Sequence, residues 1–409
     1  MADLNALQPM SAINSHIELV NKHGKGVVNP EVFYTKQLLD TIRIDSANYI
    51  YHQLADESPL QEKADKLTVR RWAPLQAHTV PLAEGIPPVS DKGSVEKYEM
   101  QASSYGRYME FTDRVDFAAV DPIVAHYSAE YSIVAIETLD LLAREELLSK
   151  AQRFYAGGAK NITEMRIATG KPKLSDLRLI VLSLKRQLVK PRGTNYTVIT
   201  SPEFVFDMLD DPYIEKYMSI NQTTAGMMDG ISTLIPIFGM DFKETMVCPD
   251  SSRFIDIDGK KSVIAYKEYE EADAGQPWAD TKDEANYVYR IFTEDDAGVY
   301  ERVSGYVKDS RTGEDASYIP DQDVFKLPEG WNELKIHHIL VVGKDALTRT
   351  GLAGEQNAKM YAKPLGSAGV LDPLDQRQSI GFKINSVGYG STRLEAIVDY
   401  MCIPTQANL

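Results

Sequence analysis

The stretch from Asp121 to Lys150 constrains this chain more than any other. Asp121-Pro122 pairs an N-cap residue with proline at the first helical position, where the missing N–H costs nothing and φ is already helical. Val124, Tyr127, Tyr131, Val134, Thr138, Leu141, Glu145 and Leu148 then recur at spacings of three and four. Glu137, Asp140, Arg144 and Glu146 fall on the opposite, solvated face. The pattern predicts one helix over 122–150, about 43 Å long at a rise of 1.5 Å per residue. Few globular helices are this long. It ends before Tyr155-Ala156-Gly157-Gly158, where glycine permits a turn.

Before this helix the chain has little local core. Residues 1–66 read as an arm that needs a surface to lie on, because alone it buries too little to offset its ordering entropy. Strand-like patterning starts at Leu67–Leu75 and resumes at Thr79–Leu82, then breaks at Glu84-Gly85-Ile86-Pro87-Pro88. A second extended run covers Val95–Thr112. Tyr98, Met100 and Ala102 share one face of it, whereas Tyr105, Met109 and Phe111 fall on the other parity, which predicts a bulge or break near Ser103-Ser104.

After the helix the pattern alternates. Leu174–Lys190 predicts a second amphipathic helix, with Ser175 as N-cap and Leu177, Val181, Leu184 and Leu188 along one stripe. A strand at Tyr196–Ile199 follows, then a helix capped by Ser201-Pro202 and another opened by Asp211-Pro212. Together these indicate an α+β or α/β lobe.

Charge then sets one segment apart. Between Phe254 and Asn332 stand 19 Asp/Glu against 9 Lys/Arg, so this stretch carries −10 of the formal −15, together with 12 of the 37 aromatic residues. It reads as all-β. Asp258-Gly259 makes a two-residue hairpin between 253–256 and 262–266; Asp296-Ala297-Gly298 makes a turn between 287–292 and 299–303; a third turn sits at Arg311-Thr312-Gly313. The chain returns through Leu334–Val342, long enough for a central strand. The balance of charge argues against a general nucleic-acid binder.

Catalytic readings are weak. Gly226–Gly230 and Gly351–Gly354 lack dinucleotide or P-loop spacing, and Gly388-Tyr389-Gly390-Ser391 is not Gly-x-Ser-x-Gly. Asp256-Ile257-Asp258-Gly259 starts like a calcium loop, but Lys267 stands where the closing Glu belongs. His337-His338 lies in a strand, where neighbours point to opposite faces and cannot share a metal. Cys248 and Cys402 are the only cysteines, which fits a reducing compartment. No basic, apolar leader opens the chain and no run of about 18–20 apolar residues crosses a membrane, so assembly is expected in the cytoplasm where the chain is made.

The order of features is specific: arm, long hairpin excursion, long capped helix, second helix, α+β lobe, β-insert, returning strand. So are Arg71-Trp72-Ala73-Pro74-Leu75, Leu82–Pro88, Tyr105-Gly106-Arg107-Tyr108, and Thr112-Asp113 ahead of Asp121-Pro122. Further on come Tyr155–Gly158, Gly343-Lys344-Asp345-Ala346, Gly366-Ser367-Ala368-Gly369, Asp372-Pro373-Leu374-Asp375-Gln376-Arg377 and Ile380-Gly381-Phe382-Lys383. In these the chain resembles the major capsid proteins of tailed bacteriophages, the schitovirus branch among them.

The resemblance implies an α+β, Hong Kong 97-type capsid fold. Its parts would be an N-terminal arm (1–66), an E-loop (67–112) and a P-domain (113–191) built on the spine helix 122–150. A-domain parts would occupy 192–253 and 345–409, the latter ending in the C-terminal strand. The acidic β-insertion (254–332) and a returning P-domain strand (333–344) complete it. It also implies a structural protein, not an enzyme, without cofactor, metal or catalytic residue. Copies would form pentamers and hexamers that close an icosahedral shell around double-stranded DNA, bound without sequence preference. Other implied partners are a portal, a separate scaffolding protein (no fused scaffolding segment is expected) and a decoration protein; no membrane is involved. The product would be a virion capsid assembled in a bacterial host. The assembly candidates are Trp72, Tyr98, Met100, Asp121, Pro122, Asp372, Pro373 and Arg377. Two alternatives stand beside this reading: an encapsulin-like compartment, and a carbohydrate-active enzyme with its site in the insert.

Overall fold

The computed structural model describes, apart from single positions, residues 46–60, 66–73, 90–112, 123–214, 239–249, 255–270, 276–308, 315–352, 355–364 and 376–405. The strands are β1 (Ala55–Leu60), β2 (Lys66–Trp72), β3 (Val95–Gln101) and β4 (Ser103–Thr112), then helix α1 (Ile123–Lys150) and β5 (Gln152–Tyr155). Helix α2 (Leu174–Arg186), β6 (Tyr196–Thr200), helix α3 (Pro202–Leu209) and β7 (Met240–Glu244) follow. Next are β8 (Ile255–Ile257), β9 (Lys260–Glu268), β10 (Tyr287–Thr293), β11 (Tyr300–Lys308), β12 (Asp315–Phe325) and β13 (Asn332–Glu333). Last come β14 (His337–Val342), β15 (Leu347–Leu352), β16 (Lys359–Lys363), β17 (Arg377–Ser391) and β18 (Ile397–Cys402).

Helix α1 has the expected extent; Asp121 and Pro122 lie outside the described residues. Its buried ridge differs from the predicted one. Tyr131, Ala135, Leu139, Ala143 and Leu147 form a strict i, i+4 row, and Asp140 and Arg144 are buried beside it at 0% and 6% exposure. Both polar groups have distant partners: Asp140 accepts from the His52 N–H, and Arg144 Nη1 donates to the Val247 carbonyl at 3.0 Å. Periodicity alone places such residues in solvent, because it cannot see a partner 88 or 103 residues away. The N-terminal half of the row packs on Ile380, Phe382, Ile384 and Val387 of β17. Ala143 and Leu147 instead enter the main core, so one helix joins two clusters.

Under α1 lies a five-stranded sheet in the order β1-β15-β17-β16, with β4 paired along the first part of β17. The main core surrounds a second five-stranded sheet, β5-β18-β14-β6-β7, with α2 and α3 against it. Strand β14 is central in it, as its apolar run predicts. The return strand 337–342 pairs with β6 and β18, whereas β15 pairs with β17, which packs on the long helix. Residues 46–60, in the stretch expected to lie as an arm on another surface, pack on this chain: Tyr49, Ile50, Tyr51 and Leu54 are buried, and β1 runs parallel to β15. Residues 1–45 lie outside the described set.

Helix α2 is shorter than predicted. Its N-cap is Lys173, so Ser175 lies within the first turn rather than capping it, and the Leu174 N–H donates to Asp211 Oδ2 at 3.3 Å. It stops at Arg186 because Leu188 turns left-handed (φ 57°), with Leu188 N–H donating to Lys185 O and Val189 N–H to Leu184 O. Leu188 therefore caps the helix and is 80% exposed, instead of extending the apolar stripe. Helix α3 begins as expected, with Ser201 Oγ accepting from Phe204 N–H at 3.2 Å. Gly157 (φ 68°) is required at its turn, since a Cβ there would lie 2.3 Å from the Thr169 carbonyl oxygen.

In the acidic segment the first expected hairpin forms between β8 and β9, with Gly259 at φ 77°; Asp258 lies outside the described residues. The expected turn after β10 also forms, with Asp296 N–H donating to Thr293 O and Val299 N–H to Asp296 O, but β10 pairs with β9 and β11 with β12, so it connects two different sheets. The Arg311–Gly313 turn lies outside the described residues. Nor does the segment keep to its own contacts. Ile264, Tyr266 and Tyr289 belong to the main core, whereas Ala265, Phe292 and Val299 make a small cluster with Trp331. Strand alternation explains this: successive residues of β9 face opposite sides, and both sides are covered.

Candidate assembly interface

The strongest assembly signal in the sequence is the excursion before the long helix. In the structure it divides at Ala102, one residue before the predicted break. Among the described residues β3 pairs only with β2, while β4 pairs with β17. The β2–β3 ribbon is thus a two-stranded hairpin, a unit that is marginal in water without a further surface.

Its register sorts the candidate residues. Leu67 pairs with Met100, Val69 with Tyr98 and Arg71 with Glu96, which places these on one face. This face turns inward: Met100 is 4% exposed, and a Cβ on Gly390 would overlap its side chain. Arg71 ties the same face to the turn before β18, reaching both carboxylate oxygens of Glu395 at 3.0 and 3.2 Å. Tyr98 is half-buried and donates to Glu96 Oε2 at 3.0 Å. Trp72 pairs with Val95 on the other face and is 73% exposed. The three assembly candidates of the hairpin therefore separate: Met100 is covered by its own chain, Tyr98 is half-buried, and Trp72 is exposed.

A second surface was not read from the sequence. On the solvent side of β4, β17 and β16, Tyr108 and Tyr361 both pair with Gly381. Gly381 has no room for a side chain, since a Cβ would lie 2.6 Å from that of Tyr108. The tyrosines are 69% and 46% exposed and border a groove of about 530 Å³ that Arg107, Lys363 and Lys383 also line, with Glu110 as the one carboxylate among the described residues. The parity of Tyr108 was available in the sequence; its neighbour β16, some 250 residues on, was not. Arg377 opens β17 opposite Thr112 and is exposed. Asp372 and Pro373 lie outside the described residues.

The groups that suggested chemistry are otherwise engaged. His337 Nδ1 lies 2.8 Å from Ser201 Oγ and His338 Nδ1 lies 2.8 Å from Asp399 Oδ2, on opposite sides of the strand. Burial pushes the thiols of Cys248 and Cys402 above their usual range, which leaves little thiolate for nucleophilic attack. Burial also raises the Tyr51 hydroxyl beside Cys248 and pushes Tyr389 up to about 12. Among the described residues no group of His, Cys, Asp and Glu has metal-binding geometry, and no helix is long and apolar enough to cross a membrane.

Solved phage capsids share this architecture from end to end. The capsid structure of Cyanophage P-SCSP1u superposes with a TM-score of 0.52 at 12% identity, over 94% of this chain and 97% of that one. The fold is the phage-capsid fold. The capsid of Ralstonia phage GP4 gives 0.52 at 10% identity, covering 94% and 98%. The mature capsid of bacteriophage PhiM1 gives 0.50 at 10%, covering 90% and 91%. No protein-family model and no curated protein matches the chain. Identity this low with coverage this complete means that the capsid fold here is specified by a largely different set of side chains.

Proposed function

We propose that this chain is a major capsid protein of a tailed bacteriophage, a structural subunit rather than an enzyme. One observation carries the reading: the likeness to phage capsids spans 94% of this chain and 97% of the other, so no large part is left over for another activity. The packing of α1 on β17 favours assigning the peripheral lobe to α1 with the β1-β15-β17-β16-β4 sheet. The axial lobe is then the β5-β18-β14-β6-β7 sheet with α2 and α3. The E-loop is the β2–β3 hairpin, whose Trp72 face is covered by an adjacent subunit.

Subunits of this kind close into pentamers and hexamers around double-stranded DNA. A net charge of −15 suits a container that must not adsorb its cargo. Portal, scaffolding and decoration proteins are the partners such a shell employs. Electron microscopy of the purified full-length protein tests the proposal. Capsomers or closed shells are expected, and a uniformly monomeric population under shell-forming conditions overturns it.

A further inference from the structure

The exposed face of α2 runs against the character of the chain. Between Lys171 and Arg192 stand seven Lys/Arg and a single carboxylate, in a protein of formal charge −15. That carboxylate, Asp176, is turned inward, where its Oδ2 accepts from the Tyr400 hydroxyl at 3.1 Å and the Gly157 N–H at 3.3 Å. Leu179, Leu182 and Arg186 recur at spacings of three and four along the outer ridge, and the two leucines are 53% and 45% exposed. A groove of about 560 Å³ on this face is lined by Leu179 and Leu182 with Arg178 and Lys185, and among the described residues by no element other than α2.

Helix α3 presents the opposite character. Residues 201–214 hold four carboxylates and no Lys or Arg. Glu203, Phe206 and Asp210 recur at the same spacings of three and four. Phe206 is 50% exposed, Tyr213 just beyond it 75%, and Asp210 is exposed beside them.

Both helices cover the same side of one sheet. Tyr400 of β18 donates its hydroxyl to Asp176 of α2 and meets Phe204 of α3 edge-on, with 6.4 Å between ring centroids. The inner faces are occupied by that sheet, and the outer faces stay exposed, so neither helix covers the other's outer ridge within a subunit.

Each face supplies what the other lacks. Phosphate backbones are contacted through charge and hydrogen bonds, for which exposed leucines do nothing. An apolar centre within a polar, charged rim is instead the composition of a protein interface. Opposite charge on the two faces steers them together and penalises the pairing of like faces.

We propose that the Leu179–Arg186 ridge of one copy docks on the Glu203–Asp210 ridge of the next, leucines against Phe206 and Tyr213, with Lys185 and Arg186 beside Glu203 and Asp210. The contact is heterologous, because a basic face meets an acidic one, and such a contact closes into a ring where the rotation permits. This rests on the reading that copies of the chain assemble, and names the surfaces through which neighbours in one ring meet.

Charge reversal in the full-length protein tests it, with assembly followed by sedimentation velocity and electron microscopy. Lys185→Glu with Arg186→Glu, and separately Glu203→Lys with Asp210→Lys, should each raise the concentration for half-maximal assembly at least about tenfold. All four substitutions in one chain should recover most of the loss, because the pairing returns with its sign inverted. Leu182→Ser, which leaves the charges alone, should weaken assembly without lowering the melting temperature of the unassembled subunit. Reversals that leave assembly unchanged overturn the proposal; if they also abolish binding of a random-sequence DNA duplex, the α2 face serves the packaged DNA instead. Additive loss in the four-substitution chain overturns it as well. So does normal assembly of Leu182→Ser with a less stable subunit, which would show the face covered within the chain. A wild-type protein that stays monomeric under shell-forming conditions removes the capsid reading too, whereas failure of the charge swap alone leaves that reading standing.

Discussion

The carboxyl oxygen Oδ1 of Asp140 accepts the backbone N–H of His52 at 2.9 Å and lies 3.1 Å from His52 Nδ1, joining the middle of the long helix to a segment 88 residues earlier. Asp140 is 0% exposed, so this contact replaces water rather than supplementing it. It also fixes the position of Tyr51, the fully buried neighbour of His52, in the main core.

Asp140→Ala should therefore lower unfolding free energy by about 1–3 kcal/mol, the cost of stranding a buried donor. His52→Ala should cost less, since its backbone N–H keeps the bond, and the double variant should be less than additive. Chemical denaturation of the soluble protein measures all three. A loss no greater than that of the exposed Lys150→Ala would show that Asp140 does not hold the helix to the earlier segment.

The two faces of the β2–β3 hairpin should respond differently to truncation. Met100→Ala empties a site filled within the chain and should destabilise the isolated subunit by about 2–5 kcal/mol. Trp72→Ala should leave its thermal unfolding unchanged within about 0.5 kcal/mol, yet reduce shell yield, as the proposed contact with an adjacent copy requires. Normal shells from Trp72→Ala, with normal melting of those shells, would show that no neighbour uses this side chain.

The acidic segment should tolerate removal of its tip but not of its base. Among the described residues β11 and β12 pair only with each other, so replacing Glu301–Val324 by a short Gly/Ser linker should leave soluble, folded protein. Replacing Phe254–Asn332 also removes Ile264, Tyr266 and Tyr289 from the main core and should yield insoluble chain. Burying each such side chain contributes on the order of 1.5–3 kcal/mol, which a domain of ordinary stability cannot lose three times over. Equal solubility of the two deletions would contradict this division.

Acid should loosen the hairpin before it unfolds the body. Partial burial pushes the Glu395 carboxyl up, but its backbone hydrogen bond and the Arg71 guanidinium outweigh that and hold it below the usual carboxylate range. A depressed folded-state pKa gives stability that is complete above the unfolded value, near about 4.3, and is lost as pH falls through the folded value. Hydrogen-exchange protection at 66–72 and 95–101, corrected for the intrinsic rate, should fall as pH drops below about 4. Glu395→Gln should show the reduced protection already at neutral pH and lose this acid dependence.

Local signals made much of the architecture legible in the sequence. The extent of the long helix, the Ser201 cap, the β8–β9 hairpin, the central strand at 337–342 and the break ahead of β4 all follow from propensity, parity or turn chemistry within a few residues. Such signals act through the backbone nearby, so no distant partner is needed to read them. The order of those elements along the chain likewise pointed to a phage capsid.

What only the tertiary structure decided is which distant surfaces meet. Asp140 and Arg144 are polar by type and buried by partnership. Trp72 and Met100 are both apolar, but strand register turns one outward and the other onto Gly390. The acidic segment looks separable by composition, yet alternate residues of β9 enter the common core. In each case the deciding energy is desolvation against a partner tens to hundreds of residues away. Periodicity reports which residues share a face; only the assembled chain determines what covers that face.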